Sequence, residues 1–161
     1  MKKLISILLL SIALFFSFIS LTGCPTPEST TTTSTTVEQL VGYWKSSYGD
    51  GFEVKSGTTK MFYQYDDKTK AVSFAGEIVN SASLSAETGF LTVKITDKGS
   101  WFKTEGEYLV IRWKNLATNI VKQSAPYKQG GKSTCATPTE AESEFTETNG
   151  YYGYFGEYDK Q

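Results

Sequence analysis

From Gln39 to the C-terminus, short runs rich in aromatic and β-branched residues alternate with clusters of Gly, Asp, Asn and Ser. This recurrence, about once every dozen residues, constrains the fold more than any other feature of the chain. Runs of this length are too short to bury a helical face and suit strands joined by tight turns. The segment 90–96 gives the clearest instance. Leu91, Val93 and Ile95 point one way while Thr92, Lys94 and Thr96 point the other, the pattern of a half-buried strand.

The same reading places strands at 41–47, 52–55, 60–65, 71–80, 90–96, 107–114, 120–127 and 151–158. Gly49-Asp50-Gly51, Ser56-Gly57, Asp66-Asp67 and Asp97-Lys98-Gly99-Ser100 supply turns between them. In the fourth strand Val72, Phe74 and Ile78 share a face, and Gly76 permits a bend. In the sixth, Leu109, Ile111 and Trp113 face the core. One helix interrupts the series. Thr137-Pro138-Thr139-Glu140 provides a capping hydroxyl, proline at the first helical position and glutamate at the third. Ala141 and Phe145 then share one face, and Asn149-Gly150 stops the helix. Glu142 and Glu144 read as its solvated side, and Glu140 as a cap rather than a catalyst. Successive short strands of this kind predict a mainly β chain. The expected fold is a small antiparallel eight-stranded meander closed into a barrel, with one short helix before the last strand.

The N-terminus is of another kind. Lys2 and Lys3 precede an apolar run from Leu4 to Leu21, followed by Leu21-Thr22-Gly23-Cys24. Basic start, apolar middle and small residues before a cysteine make a secretory signal. The last four residues resemble the bacterial lipobox. That resemblance implies cleavage after residue 23, a thioether from Cys24 to diacylglycerol, and acylation of the new amino group. The partner it implies is membrane lipid, and the location is the cell envelope. Pro25 in place of aspartate points to the outer membrane, on its periplasmic or surface face. An uncleaved anchor is the alternative, since about 18 apolar residues approach the length of a span, but it leaves the small pair before Cys24 without a reason. Three acyl chains, at about 0.8 kcal/mol per buried methylene, would make attachment effectively permanent. Residues 25–37 are rich in Thr and Ser and predict a disordered tether, reaching at most about 45 Å. The expected organisation is therefore a signal peptide at 1–23, lipidated Cys24 and tether at 24–37, and one domain at 38–161.

Removal of residues 1–23 would leave 14 basic and 17 acidic side chains, a formal charge of −3. The basic residues are scattered, so the chain lacks the electrostatic footprint of a nucleic-acid binder. It contains no histidine. That excludes Ser-His-Asp and Cys-His catalysis within the chain and removes the commonest transition-metal ligand. The carboxylate pairs Asp66-Asp67 and Glu105 with Glu107 lie at turns and read as solvated charge. No enzyme activity, cofactor or metal is expected. With Cys24 lipidated, Cys135 is left without a disulfide partner, and its Gly130-Gly131-Lys132-Ser133-Thr134 approach predicts an exposed loop.

Gly42-Tyr43-Trp44 stands in the first predicted strand. A Gly-x-Trp heading an eight-stranded meander resembles the lipocalin signature, and the whole is similar to small lipocalin-like lipoproteins of spirochaetes. The likeness spans most of residues 38–161 and rests on strand count and these three residues. It implies that Gly42 and Trp44 plug the closed end of the barrel, that a basic side chain near the last strand covers the tryptophan, and that the lumen holds one small apolar ligand. The only arginine, Arg112, falls on the sixth predicted strand; Lys160 is better placed by order. A barrel of this size can also be filled by its own side chains. Tyr63, Tyr65, Phe74, Trp113, Tyr152 and Tyr154 are the candidate contacts. They would serve either a small apolar ligand inside or an envelope or host protein outside. Two function classes stay open: a ligand-binding barrel, and a solid structural or adhesive surface module.

Overall fold

The apolar alternation becomes eight strands in a computed structural model, which describes residues 35–66, 69 and 71–161. They are β1 (Gly42–Ser46), β2 (Asp50–Lys55), β3 (Met61–Asp66), β4 (Val72–Ser85), β5 (Thr88–Asp97), β6 (Tyr108–Lys114), β7 (Ile120–Ser124) and β8 (Gly156–Lys160). Each pairs antiparallel with the next, and β8 returns to pair with β1, so the meander closes as a barrel. Helix α1 (Thr35–Leu40) precedes β1, and helix α2 (Pro138–Glu144) lies between β7 and β8. All of these elements and the core between them belong to the compact unit Thr32–Gln161. That unit therefore carries its own core and has what it needs to fold by itself.

Inward-pointing residues fill one end of the barrel with rings. Trp44, Phe52, Phe62 and Phe74, one from each of β1 to β4, stack in sequence at centroid distances of 5.9, 5.8 and 5.6 Å. Leu91, Val93 and Ile95 of β5 and Leu109, Ile111 and Trp113 of β6 complete the core as the alternation predicts. Helix α1 packs beside this end: Val37 and Leu40 are buried, and Trp44 Nε1 donates to the Leu40 carbonyl at 2.8 Å.

Helix α2 forms as its sequence predicts, with Thr137 accepting from Glu140 N and proline in the first turn. The Glu140 carboxylate accepts from Ala136 N and pairs with Lys132 at 2.6 Å, which holds Glu140 below its ordinary range. Ala141 and Phe145 are buried. Glu142 is not on a solvated side. Its Oε1 accepts from Thr92 Oγ1 at 2.6 Å and Asn80 Nδ2 at 2.8 Å, fastening the helix to the outside of β4 and β5. Glu144 likewise accepts from Tyr151 Oη at 2.6 Å. Thr92, polar and outward on its strand, is consequently buried.

Other boundaries differ from the sequence reading for local reasons. Residues 35–37, assigned by composition to the tether, begin α1; the remainder of the tether, the signal segment and Cys24 lie outside the described residues. Strand β4 runs on to Ser85, because Ser81–Ser85 keeps pairing with β5 through bulges. One bulge falls at Gly76, where a Cβ would stand 2.3 Å from the Lys94 carbonyl. Strand β7 stops at Ser124, just before Ala125 and Pro126, where the ladder loses a donor. The aromatic run expected to open the last strand at residue 151 instead lies outside the ladder, and β8 starts only at Gly156. Cys135 is not exposed. It exchanges two 2.9 Å backbone hydrogen bonds with Tyr108, its side chain is buried, and burial pushes its thiol pKa up.

Candidate functional site

The two ends of the barrel interior differ because successive inward positions on the same strands change in chemistry. On β1, Trp44 is followed inward by Ser46; on β3, Phe62 by Gln64; on β7, Val121 by Gln123. The register brings Ser46 opposite Tyr158 and Gln123 opposite Gly156. Above the aromatic stack the lumen thus acquires a polar layer of Ser46, Asp50, Gln64, Gln123 and Tyr158.

This layer floors a cup of about 960 Å³ at the open end. Its walls come from the loops: Tyr48 after β1, Trp101 and Phe102 between β5 and β6, residues 125–129 after β7, and Tyr154 before β8. Tyr48 and Tyr127 are each 78 % exposed, Tyr154 68 % and Trp101 53 %, so their rings are open to whatever enters. Phe102 and Trp101 also rest on Phe74, at 5.1 and 5.6 Å, which ties the rim to the stack beneath.

The floor is mostly satisfied from within. Asp50 accepts from Tyr158 Oη at 2.6 Å through one oxygen and from Ser46 Oγ through the other. Burial first, then the neighbouring Asp50 carboxylate, pushes the Tyr158 phenol far above its ordinary range. Gln64 Nε2 donates to the Gly51 carbonyl at 3.0 Å. Gln123 is the exception: 4 % exposed and lining the cup, its Nε2 has no hydrogen-bond partner. A buried amide N–H without an acceptor costs about 1–3 kcal/mol.

Trp44 is fully buried at the closed end, and Lys160 Nζ lies 5.1 Å from its ring centroid. Gly42 has φ +124°, which L side chains rarely adopt, and a Cβ there would meet Lys160 Cε at 3.1 Å. The glycine thus lets the lysine stem cross to the tryptophan. Arg112 is elsewhere, over the Tyr152 ring on the outer surface and 3.4 Å from Glu147.

Of the six candidate aromatic contacts, Tyr154 alone lines the cup. Phe74 is in the stack. Trp113 is in the core opposite Gln123, its Nε1 also without a partner. Tyr152 is buried against the barrel exterior, donating to the Val110 carbonyl at 2.7 Å. Tyr63 and Tyr65 stack on each other at 6.0 Å on the outer face, with Tyr43 edge-on to Tyr65 and Lys55 over Tyr63. The floor residues escaped the sequence reading because it sought aromatic contacts. Their signal was present as polar residues at inward positions of otherwise apolar series, Phe62-x-Gln64 and Val121-x-Gln123.

Among the described residues, no cluster of three or more His, Cys, Asp or Glu side chains is placed to hold a metal, and no helix is long and apolar enough to cross a membrane. Comparisons with family models, with curated proteins and with solved structures find no match to this chain.

Proposed function

We propose that this chain is a lipid-anchored lipoprotein of the bacterial cell envelope, without catalytic activity, whose barrel binds a small and largely apolar ligand. Its anchoring rests on the lipobox-like Leu21-Thr22-Gly23-Cys24 after an apolar run. The binding reading is carried by the cup: about 960 Å³, walled by exposed aromatic rings over a sparse polar floor. Ligand sites have this character, apolar walls with a few oriented polar groups. The lipocalin-like resemblance gains support from Trp44 buried beneath Lys160 with Gly42 alongside.

A second reading, contact with a macromolecule, is favoured by the outer patch of Tyr43, Tyr63, Tyr65 and Lys55. Titration of the unit Thr32–Gln161 with Nile red, an uncharged fluorophore, separates the two. Saturable blue-shifted emission at micromolar concentration, lost in Trp101→Ala and Tyr127→Ala, supports the cup. Absence of saturation removes it and leaves the outer face. The anchoring half is tested in the full chain: Cys24→Ala should give an unprocessed or mislocalised precursor, and normal processing with membrane retention would refute it.

A further inference from the structure

The cup also carries information on the head group it accepts. Its charged lining residues are Asp50 in the floor and Lys128 at the rim. Lys128 Nζ lies 5.4 Å from the Tyr151 ring centroid. Asp50 is held by the hydroxyls of Ser46 and Tyr158, neither of which cancels its charge. An anionic head lowered to this floor would meet a carboxylate and give up its hydration. In contrast, Gln123, which lines the same cup from β7 with β8 and β1 between it and Asp50 on β2, has a buried N–H with no acceptor. An oxygen that accepts without bearing charge fits both groups.

We infer that the cup is selective for uncharged amphiphiles: an alkyl or flat apolar body against Trp101, Tyr127 and Tyr154, with a hydroxyl, carbonyl or amide oxygen accepting from Gln123 Nε2, and carboxylates excluded by Asp50. This rests on the cup being a ligand site, and it adds the chemical class.

The test displaces Nile red from the unit Thr32–Gln161 with two probes of equal chain length, 1-decanol and decanoate, at pH 7.5. Decanol should displace at a concentration at least about tenfold lower than decanoate. An apolar pocket of any kind favours the alcohol somewhat, so two variants carry the assignment. Gln123→Leu keeps the volume and removes the unmet donor, so it should fold; it should weaken decanol about 3- to 10-fold. Asp50→Asn keeps an acceptor oxygen for one floor hydroxyl, turns an N–H toward the oxygen of the other, and removes the charge. It should narrow the alcohol-to-acid ratio at least about threefold, a small part of what pairing two carboxylates costs. Melting curves by circular dichroism check that both variants are folded. Equal or better displacement by decanoate, no displacement by decanol, or an unchanged decanol affinity in Gln123→Leu overturns the inference. So does an unchanged ratio in Asp50→Asn. Failure of Nile red itself to bind the unaltered unit instead removes the ligand-binding reading beneath it.

Discussion

Trp44 is the residue on which the closed end depends, and two substitutions separate what its ring does from what its nitrogen does. The indole is fully buried, lies 5.9 Å from Phe52 at an interplanar angle of 10°, and donates to Leu40 O at 2.8 Å. Truncating a buried tryptophan to alanine costs about 3–5 kcal/mol. Here the value should sit near the top of that range, because Lys160 also loses the ring beneath its ammonium, a contact of about 0.5–1 kcal/mol. Domains are stable by about 5–15 kcal/mol in all. At roughly 4 °C per kcal/mol for a unit of this size, Trp44→Ala should lower Tm by about 15–20 °C or prevent folding. Trp44→Phe keeps a ring between Lys160 and Phe52 and loses the bond that ties α1 to β1. Its cost should be about 1–2 kcal/mol, or roughly 4–8 °C. The assay is thermal unfolding of the unit Thr32–Gln161 followed by circular dichroism at 218 nm, a wavelength suited to β structure. A Tm unchanged in Trp44→Ala would refute the plug. A Phe variant as damaged as the Ala variant would refute the stack as the main contribution and assign it to the Leu40 bond.

Glu142→Ala should lower stability by about 1–3 kcal/mol, since it leaves the buried Thr92 hydroxyl without its acceptor and frees α2 from β4 and β5; Glu142→Gln, which keeps the oxygen, should recover most of it in the same melt. Alkaline titration followed by tyrosinate absorbance should show Tyr152 and Tyr158 resisting ionisation well above the usual phenol range, because burial raises both. A raised folded pKa is stability fully present below about pH 10 and lost as pH rises beyond it, when the unfolded chain ionises first, so the alkaline unfolding midpoint and the late tyrosinate signal should coincide; two early-ionising phenols would contradict the burial. Cys135 should react with a thiol reagent at least about 100-fold more slowly in the native unit than in denaturant, since its thiol is buried and pushed up in pKa, and equal rates would place it at the surface.

The barrel was legible because a strand advertises itself through a period of two, and most strands here have one apolar face. Leu91, Val93 and Ile95, or Leu109, Ile111 and Trp113, cannot be rearranged onto opposite faces without shifting register. What was misread lies where side chains answer to a neighbour distant in sequence. Thr92 looks solvated until Glu142, 50 residues later, covers it. Tyr151 and Tyr152 have strand composition, yet the Tyr151 ring packs edge-on to Phe145 beyond α2 and Tyr152 turns to the Val110 carbonyl on the exterior of the barrel. Helix α1 hides in a threonine-rich stretch, and its one signal is the three-residue spacing of Val37 and Leu40. The aromatic candidates were misplaced for a similar reason. Composition says that tyrosines abound, while only register says which face each one takes.

The polar layer bears most directly on what the barrel is for. A barrel serving as a solid module would be steadier with apolar residues at Ser46, Gln64 and Gln123, continuing the stack of Trp44, Phe52, Phe62 and Phe74 upward. The chain instead changes chemistry within one inward step on β1, β3 and β7, and at Gln123 leaves a buried donor unmet. Folding alone offers no return for that cost, whereas a ligand oxygen accepting from Gln123 would. The same step separates the consequences of mutation. Substitutions in the stack act on stability, as do those at Asp50, Gln64 and Tyr158, which are hydrogen-bonded within the layer above; in that layer only Gln123, whose donor is unmet, can be changed without that cost. Gln123→Leu is the sharpest case, since removing an unmet buried donor should stabilise the fold by about 1 kcal/mol while weakening the hold on an uncharged head group. A variant that gained stability and kept its ligand affinity would break the link between that buried amide and binding.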